Sequence, residues 1–343
     1  MVSIIVGIYN VRRFIERGIQ NVLSQSYTDY ELILSDDGST DGSYDICQNW
    51  AAKDQRIRVI HQDNKGLGAA RNHGLEAAKG DYVYFFDFDD EIDSGLLEYC
   101  VKTIEEKGTD IVIFGYNNVE TSYNSTVTVS FPEIFVRSNE ELKQVFVEQC
   151  ALKANGFQWN KFYRKAFLDK YGIRCENQRI EQDEVFNLKC YHHLERAFFS
   201  PEVLYTYYVY EKGNNRSHFI ATRFDIYKSI RSHFEELKSF WSLDDDRLEY
   251  SLDKRFYDNV LQCMTYNLAH PDCHWSRADK QREMDRIMAD PLTKRSFAYA
   301  RLNETSLEQR LLREACLRKS LPLLGFYSKT FGFLHKMRKR LKR

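Results

Sequence analysis

Apolar residues in the first 115 positions fall into short unbroken runs separated by stretches where they recur at helical spacing. The runs are Ser3–Ile8 (S-I-I-V-G-I), Leu32–Leu34, Ile57–Ile60 and Tyr82–Phe86. Such runs, bounded by polar turns, predict strands buried on both faces of a parallel sheet. Between them, Phe14, Ile15, Ile19, Val22 and Leu23 form one apolar helical face, and Leu96, Leu97, Cys100, Val101 and Ile104 form another. A further helix after Ile60 ends near Lys79 and Gly80. In S-D-D-G-S-T-D-G-S, Gly38 and Gly42 allow turn geometry, and Ser39, Thr40 or Asp41 can cap the next helix. Strand–helix alternation with short links predicts an α/β fold built on a Rossmann-like, doubly wound, mostly parallel sheet.

The alternation loosens after a fifth run, Ile111–Phe114. Residues 117–137, rich in Thr, Ser, Val and Asn, predict a hairpin or edge strands. A helix is expected near Glu140–Cys150, R-I-E-Q-D-E-V-F at 179–186 opens another, and Val203–Val209 reads as a strand. From about residue 219 the pattern is helical, with breaks at Asp244–Asp246 and Pro271. The expected division is a first domain over 1–215 and an all-helical C-terminal region over 216–343. In that region Lys329–Arg343 carries seven Lys or Arg and no acid, with Phe331, Leu334, Met337 and Leu341 within one helical face. A basic amphipathic helix of this kind suits peripheral contact with an anionic membrane, and a solvated terminus is the alternative.

Composition narrows the picture. A net charge of −1 gives no global field for nucleic acid. The eight cysteines show no C-x-x-C pair and sit mostly in apolar-periodic stretches, which predicts reduced, buried thiols in a cytoplasmic protein. The first strand starts at Val2, leaving no room for a signal peptide. No apolar run approaches the roughly 20 residues that span a bilayer. The N-x-S/T matches at Asn124, Asn215 and Asn303 are then chance occurrences.

Candidate chemistry gathers where strands end. Tyr82–Phe86 runs into Asp87, Asp89 and Asp90, with Glu91 and Asp93 beyond, and the second strand ends at Asp36 and Asp37. Carboxylates about 4 Å apart repel by roughly 4 kcal/mol per pair at an effective dielectric near 20. A cation or donor groups among them would relieve this, and hard oxygen ligands favour Mg²⁺ or Mn²⁺; a plain polar turn is the alternative. The carboxyl edge of an open α/β sheet is also where ligands bind. Two acidic turns on one rim fit a nucleotide that carries a diphosphate and a leaving group.

Six ordered stretches now add a resemblance: S-I-I-V-G-I-Y-N, Y-E-L-I-L-S-D-D-G-S-T-D, N-K-G-L-G-A-A-R-N-H-G, G-D-Y-V-Y-F-F-D-F-D-D, W-N-K-F-Y-R and E-Q-D-E-V-F. Together they resemble the family 2 inverting glycosyltransferases of the GT-A fold, mostly bacterial enzymes of polysaccharide assembly, over roughly residues 1–215. The resemblance implies a UDP-sugar donor, a glycan or lipid-linked oligosaccharide acceptor, and a site peripheral to the inner face of the cytoplasmic membrane. By position it implies that Tyr9 packs on the base, Asp37 accepts from uracil N–H, and Arg71 approaches the nucleotide. Asp87-Phe88-Asp89 would be the D-x-D element, with Asp87 nearer the ribose and Asp89 on Mn²⁺ or Mg²⁺. Asp183 would be the general base, while Trp159 and Gln182 would line the acceptor or sugar pocket; a core role for Trp159, within plain helix packing of W-N-K-F-Y-R, stays open.

Three positions depart from the family pattern. Gly7-Ile8 stands where a Pro is usual, Phe88 replaces a small spacer and would reshape the sugar pocket, and Gln182-Asp183 replaces Glu-Asp. Rival readings are weaker. Gly66-Leu67-Gly68 with Arg71 follows the third strand and lacks the third small residue of a dinucleotide fingerprint. A sugar-nucleotidyltransferase needs a Gly-rich basic loop where this chain has Y-N-V-R-R-F. His192 and His193 are adjacent, which suits packing better than metal binding, whereas His218 and Arg216 are candidates to reach the cleft. A catalytically weak nucleotide-sugar-binding subunit that recruits a partner through its helical region, or a homodimer through the same region, is kept alongside the enzyme.

Overall fold

The computed structural model describes the chain except residues 123–124, 155, 211–217, 304–305, 328 and 332–343, and the side chains of 152–154 and 301–303. In order come β1 (Val2–Ile8), α1 (Arg12–Leu23), β2 (Tyr30–Asp36), α2 (Ser43–Ala51), β3 (Ile57–His61), α3 (Leu67–Ala77), β4 (Tyr82–Phe85), β5 (Glu91–Ile92) and α4 (Leu96–Lys107). Then follow β6 (Ile111–Glu120), β7 (Ser125–Val129), β8 (Ile134–Val136), α5 (Asn139–Val145), β9 (Lys161–Arg164), α6 (Lys165–Lys170), α7 (Gln182–His193) and β10 (Ala197–Val209). The remainder is helical: α8 (Arg223–Trp241), α9 (Asp246–Gln262), α10 (Arg277–Ala289), α11 (Pro291–Asn303) and α12 (Leu307–Leu317). Among the described residues no helix is long and apolar enough to cross a membrane.

The sheet order is β3-β2-β1-β4-β9-β6-β10-β5, with β7 on β6 and β8 on β10. β3, β2, β1 and β4 pair in parallel, as their apolar runs require, and β6 and β10 are parallel to each other. Between the two blocks lies β9, antiparallel to both β4 and β6. The sheet is therefore mixed but mostly one-directional, the α/β class expected. Within W-N-K-F-Y-R, Trp159 and Asn160 form a turn and K-F-Y-R is the strand β9, which corrects the helical alternative for that motif. Its residues Phe162 and Tyr163 face neighbours on both sides, with Phe162 5.6 Å from Tyr82 and Tyr163 5.9 Å from Phe85. β6 and β7 form the expected hairpin. All eight cysteines are buried and unpaired.

Two close approaches set the edge on which the site stands. At Gly7 a Cβ would lie 2.4 Å from Leu67 Cδ1, so glycine lets α3 settle onto β1. At Gly18 a Cβ would lie 2.3 Å from the Phe88 ring, so that ring packs directly onto the α1 backbone. Phe88 is 3% exposed and meets Phe86 edge-on at 5.7 Å. The D-x-D spacer thus points into the core, correcting the expectation that it reshapes a sugar pocket.

By internal contacts the chain forms two units, Met1–Gly213 with His233–Leu243, and Asn214–Ser232 with Asp244–Arg343. The C-terminal half of α8 thus belongs to the first unit. There Trp241 meets Phe146 edge-on at 5.0 Å, and His192 stacks on Phe240 at 4.0 Å. His193 stacks on Tyr171 at 4.3 Å, so both histidines are used in packing. The second unit is helical, and Arg231 and Arg295 bind the carboxylates of Glu249 and Asp253 in it.

Gly18→Ala should destabilise the protein by about 1–3 kcal/mol through overpacking. In a Phe88→Ala background the same change should cost nothing or stabilise, since alanine is the better helix former. Urea unfolding of the four proteins checks this; equal losses in both backgrounds would contradict the packing described.

Candidate active site

The strand ends assemble one rim. Ile8 pairs in register with Asp36, and the Asp37 amide donates to the Ile8 carbonyl at 2.8 Å. Tyr9 and Asp37 are therefore neighbours, and Tyr9 is 48% exposed. Asn10 locks the two turns together: its Oδ1 accepts from the Thr40 amide at 2.8 Å, and its own amide donates to Ser39 Oγ at 3.1 Å. On the other side of β1, the Phe86 amide donates to the Ile5 carbonyl, which starts the D-x-D turn beside the same edge.

Asp37 is buried and accepts three hydrogen bonds: Gln62 Nε2 at 2.7 Å, and the Lys65 and Gly66 amides at 2.8 Å. Its carboxylate holds the loop that leads into α3. Asp36 works similarly, with Oδ2 bound by the Gly38 and Ser39 amides and by His61 Nδ1 at 2.7 Å. The acidic pair that ends β2 is thus partly structural, a role that local sequence does not reveal because His61, Gln62, Lys65 and Gly66 lie 25 or more residues from the carboxylates they bind.

Arg71, one turn into α3, is 3% exposed. Its Nη2 donates to both Asp87 oxygens at 2.8 and 3.1 Å, and its Nη1 donates to Gln158 Oε1 at 2.9 Å. Burial opposes its charge, but Asp87, Cys175 and Asp183 outweigh burial and raise its pKa above the ordinary value. The guanidinium is therefore a fixed cation lying within the fields of Asp87 and Asp183. Asp89 responds in the opposite sense. Burial first, and the Asp87 charge second, push its pKa up to about 6 against the fields of Arg17 and Arg13. Asp90 is pushed well above the carboxylate range by burial and by Asp89. It is a tether to β10, accepting from Tyr205 Oη at 2.6 Å and the Tyr208 amide at 2.9 Å.

Asp183 stands in the first turn of α7, where unpaired amides favour an anion. Its Oδ1 accepts from the Glu184 amide at 3.1 Å. Gln182 is buried beside α3, with its Cγ 3.4 Å from where a Cβ on Gly68 would stand. Glu181, immediately before, holds φ at +60°, and Asn10, after Tyr9, holds +52°. Left-handed non-glycine backbone costs about 1–3 kcal/mol and concentrates at functional sites. Both positions here adjoin candidate site residues.

Trp159 is 3% exposed and stacks on Tyr205 at 4.2 Å, Phe157 at 4.5 Å and Tyr207 at 5.5 Å. In this structure it is packed among aromatic rings, as the core alternative for Trp159 expects. His218 is exposed in the second unit, its carbonyl accepting from Arg223. Arg216 and most of the basic C-terminal stretch lie outside the described residues.

Two contributors escaped the sequence reading. Gln158 buttresses Arg71, and its Nε2 lies 3.4 Å from Cys175 Sγ. Lys161 is wholly buried, donating to the Phe157 carbonyl at 2.6 Å and Asn160 Oδ1 at 2.9 Å. Burial lowers its pKa to about 8, while Cys150 and Asp183 act the other way. A lysine beside two aromatics, as in K-F-Y-R, was the available signal.

Residues 3–172 match the family described as Glycosyl transferase family 2. The chain is 34% identical over 208 residues to an uncharacterized glycosyltransferase, EpsJ, of Bacillus subtilis, covering 60% of each chain. It is 40% identical over 118 residues to TuaG of the same organism, provisionally named for teichuronic acid biosynthesis, covering 34% of this chain and 47% of that one. In three dimensions it is similar to S. aureus TarS 1-349 in complex with UDP-GlcNAc, with a TM-score of 0.61 and 19% identity over 96% of this chain and 91% of that one. The matched part spans about 60% of the length of EpsJ. The domain that carries this sheet edge thus belongs to glycosyl transferase family 2, with the GT-A fold.

Lys161 supplies a pH test. Its folded pKa of about 8 lies below the ordinary 10.5, so the unfolded chain holds more protons between those values. Its burial penalty is full below pH 8 and is relieved as pH rises towards 10.5. Wild-type stability should therefore rise relative to Lys161→Met across that window in urea unfolding; a flat difference would contradict a Lys161 pKa lowered by burial.

Proposed function

We propose that this chain is an inverting glycosyltransferase that moves a hexosyl or N-acetylhexosaminyl group from a UDP-sugar to a hydroxyl of a glycan, with a lipid-linked oligosaccharide as acceptor. The observation that carries this reading is Arg71, whose one buried guanidinium joins Asp87 directly and lies in the field of Asp183. Family membership and the UDP-sugar bound by TarS support the donor class.

Each residue has a chemical task. The exposed ring of Tyr9 offers a face to the base. Asp37 uses three of its roughly four acceptor sites on the loop and keeps one for the uracil N–H. Asp87, oriented by Arg71, accepts from the ribose hydroxyls. Asp183 receives the proton of the attacking hydroxyl as the new C–O bond forms, and the donor C–O bond breaks to release UDP. Gln182, buried between α3 and α7, takes a place beside the acceptor.

A divalent cation fits the donor set. Asp87 and Asp89 are hard oxygen ligands, and Asp89, its pKa raised by burial first and by the Asp87 charge second, would be favoured in its charged form by a cation. Asp87 and Asp89 would hold Mg²⁺ or Mn²⁺, ions that take one or two carboxylates together with substrate phosphates. When bound there, the ion would neutralise charge on the departing diphosphate. Membrane contact through Lys329–Arg343 places the enzyme beside a lipid-linked substrate.

Asp183→Asn should lower kcat by about 10²–10⁴-fold with little change in UDP affinity. Turnover of UDP-sugars with Mn²⁺ measures the first and calorimetry the second. Equal kcat in both proteins would remove Asp183 as base, and no turnover with any donor and acceptor would favour a nucleotide-sugar-binding subunit.

A further inference from the structure

Helix α1 starts just after Tyr9 and Asn10 and carries Arg13 and Arg17 one turn apart, on the same face. Both guanidinium groups lie over aromatic rings. Arg13 is 4.3 Å from the centroid of Phe14 and 5.7 Å from that of Tyr210. Arg17 is 5.5 Å from Phe14 and 5.6 Å from Tyr208. Phe14 and Tyr210 are themselves 5.4 Å apart, so the rings form one platform.

Arg17 is anchored at the D-x-D turn. Its Nη2 donates to the Asp89 carbonyl at 2.6 Å and to Tyr210 Oη at 3.3 Å, while Tyr210 Oη donates to the same carbonyl at 3.1 Å. Its Nη1 lies 3.8 Å from Glu91, a pair too open to neutralise it. Its Nε is buried and has no hydrogen-bond partner among the described residues. Arg13 is exposed and, among the described residues, makes no hydrogen bond or ion pair. The cluster thus sets two cations near Glu91 and within reach of the Asp89 charge, neither acid in close contact with a guanidinium, and the N–H groups of Arg13 stay unused beside the D-x-D turn.

We propose that Arg13 and Arg17 form an anion subsite beside Asp89 that takes a phosphate group. Guanidinium planes backed by aromatic rings keep their N–H edges free for the paired oxygens of a phosphate, a geometry that a neutral sugar does not match. The phosphate has two sources: the diphosphate of the donor, or a phosphate carried by the acceptor next to an apolar chain. The rings of Phe14, Tyr208 and Tyr210 favour the second, since they give such a chain a surface beside the charge. The donor source rests on the function proposed above; the subsite itself does not.

The test is calorimetric titration of pyrophosphate, UDP and geranyl phosphate into the full chain at low salt, for wild type, Arg13→Gln and Arg13→Lys. Pyrophosphate should bind wild type, weaken about tenfold or more in Arg13→Gln, and recover in part in Arg13→Lys, which keeps the charge but loses the fork. The same loss for geranyl phosphate, with UDP within about twofold, assigns the subsite to the acceptor. Loss for UDP alone assigns it to the donor, and loss for both assigns it to both. Failure of pyrophosphate to bind, or equal affinities in wild type and Arg13→Gln, overturns the proposal. UDP failing to bind wild type would instead count against the donor reading, leaving the pyrophosphate result to judge the subsite.

Discussion

The carboxyl edge of this sheet depends on one buried cation. Arg71 is almost without solvent and holds Asp87 with two hydrogen bonds. Carboxylates packed at the end of a buried strand repel one another by kilocalories when water cannot screen them. Breaking a buried ion pair from one side costs about 3–5 kcal/mol, because the surviving charge is stranded. Arg71 therefore fixes where negative charge can persist, whereas Asp89, which makes no such pair, has its pKa raised first by burial and then by the Asp87 charge. In the proposed function, a divalent cation at the rim would relieve that charge.

The fold serves this arrangement through a few long-range constraints. Glycine at position 7 lets α3 approach β1 closely enough for Arg71 to reach across to Asp87. Asp37 clamps the loop from which α3 starts, so the turn that ends β2 helps set the position of Arg71. Reversed strand β9 brings in Gln158 and Lys161 from a distant stretch, one bracing the guanidinium and the other buried within the field of Asp183. Site residues are thereby held by rigid elements, and the left-handed backbone next to them falls at Asn10 and Glu181.

Much of this was legible in the sequence, and the failures have physical causes. The parallel strands announced themselves because burial on both faces demands continuous apolar runs. β9 did not, since Lys161 interrupts its pattern and its burial depends on carbonyl partners that only the fold supplies. Phe88 and Trp159 were ambiguous because a large ring beside acids suits a pocket as well as a core. Neighbours decided both cases, the α1 backbone at Gly18 and the stack with Tyr205. Nothing in the local sequence marks Arg13 and Arg17, because the Tyr208 and Tyr210 rings beside them come from nearly 200 residues on.

Calorimetric titration of UDP with and without Mn²⁺, in wild type and Asp89→Asn, probes the charge balance at the rim most directly. Mn²⁺ should tighten UDP binding by about tenfold or more in wild type and have no effect in Asp89→Asn. UDP binding that is indifferent to Mn²⁺ in wild type, or equally enhanced in both proteins, would contradict a rim whose unrelieved carboxylate charge recruits a cation to the nucleotide's phosphates.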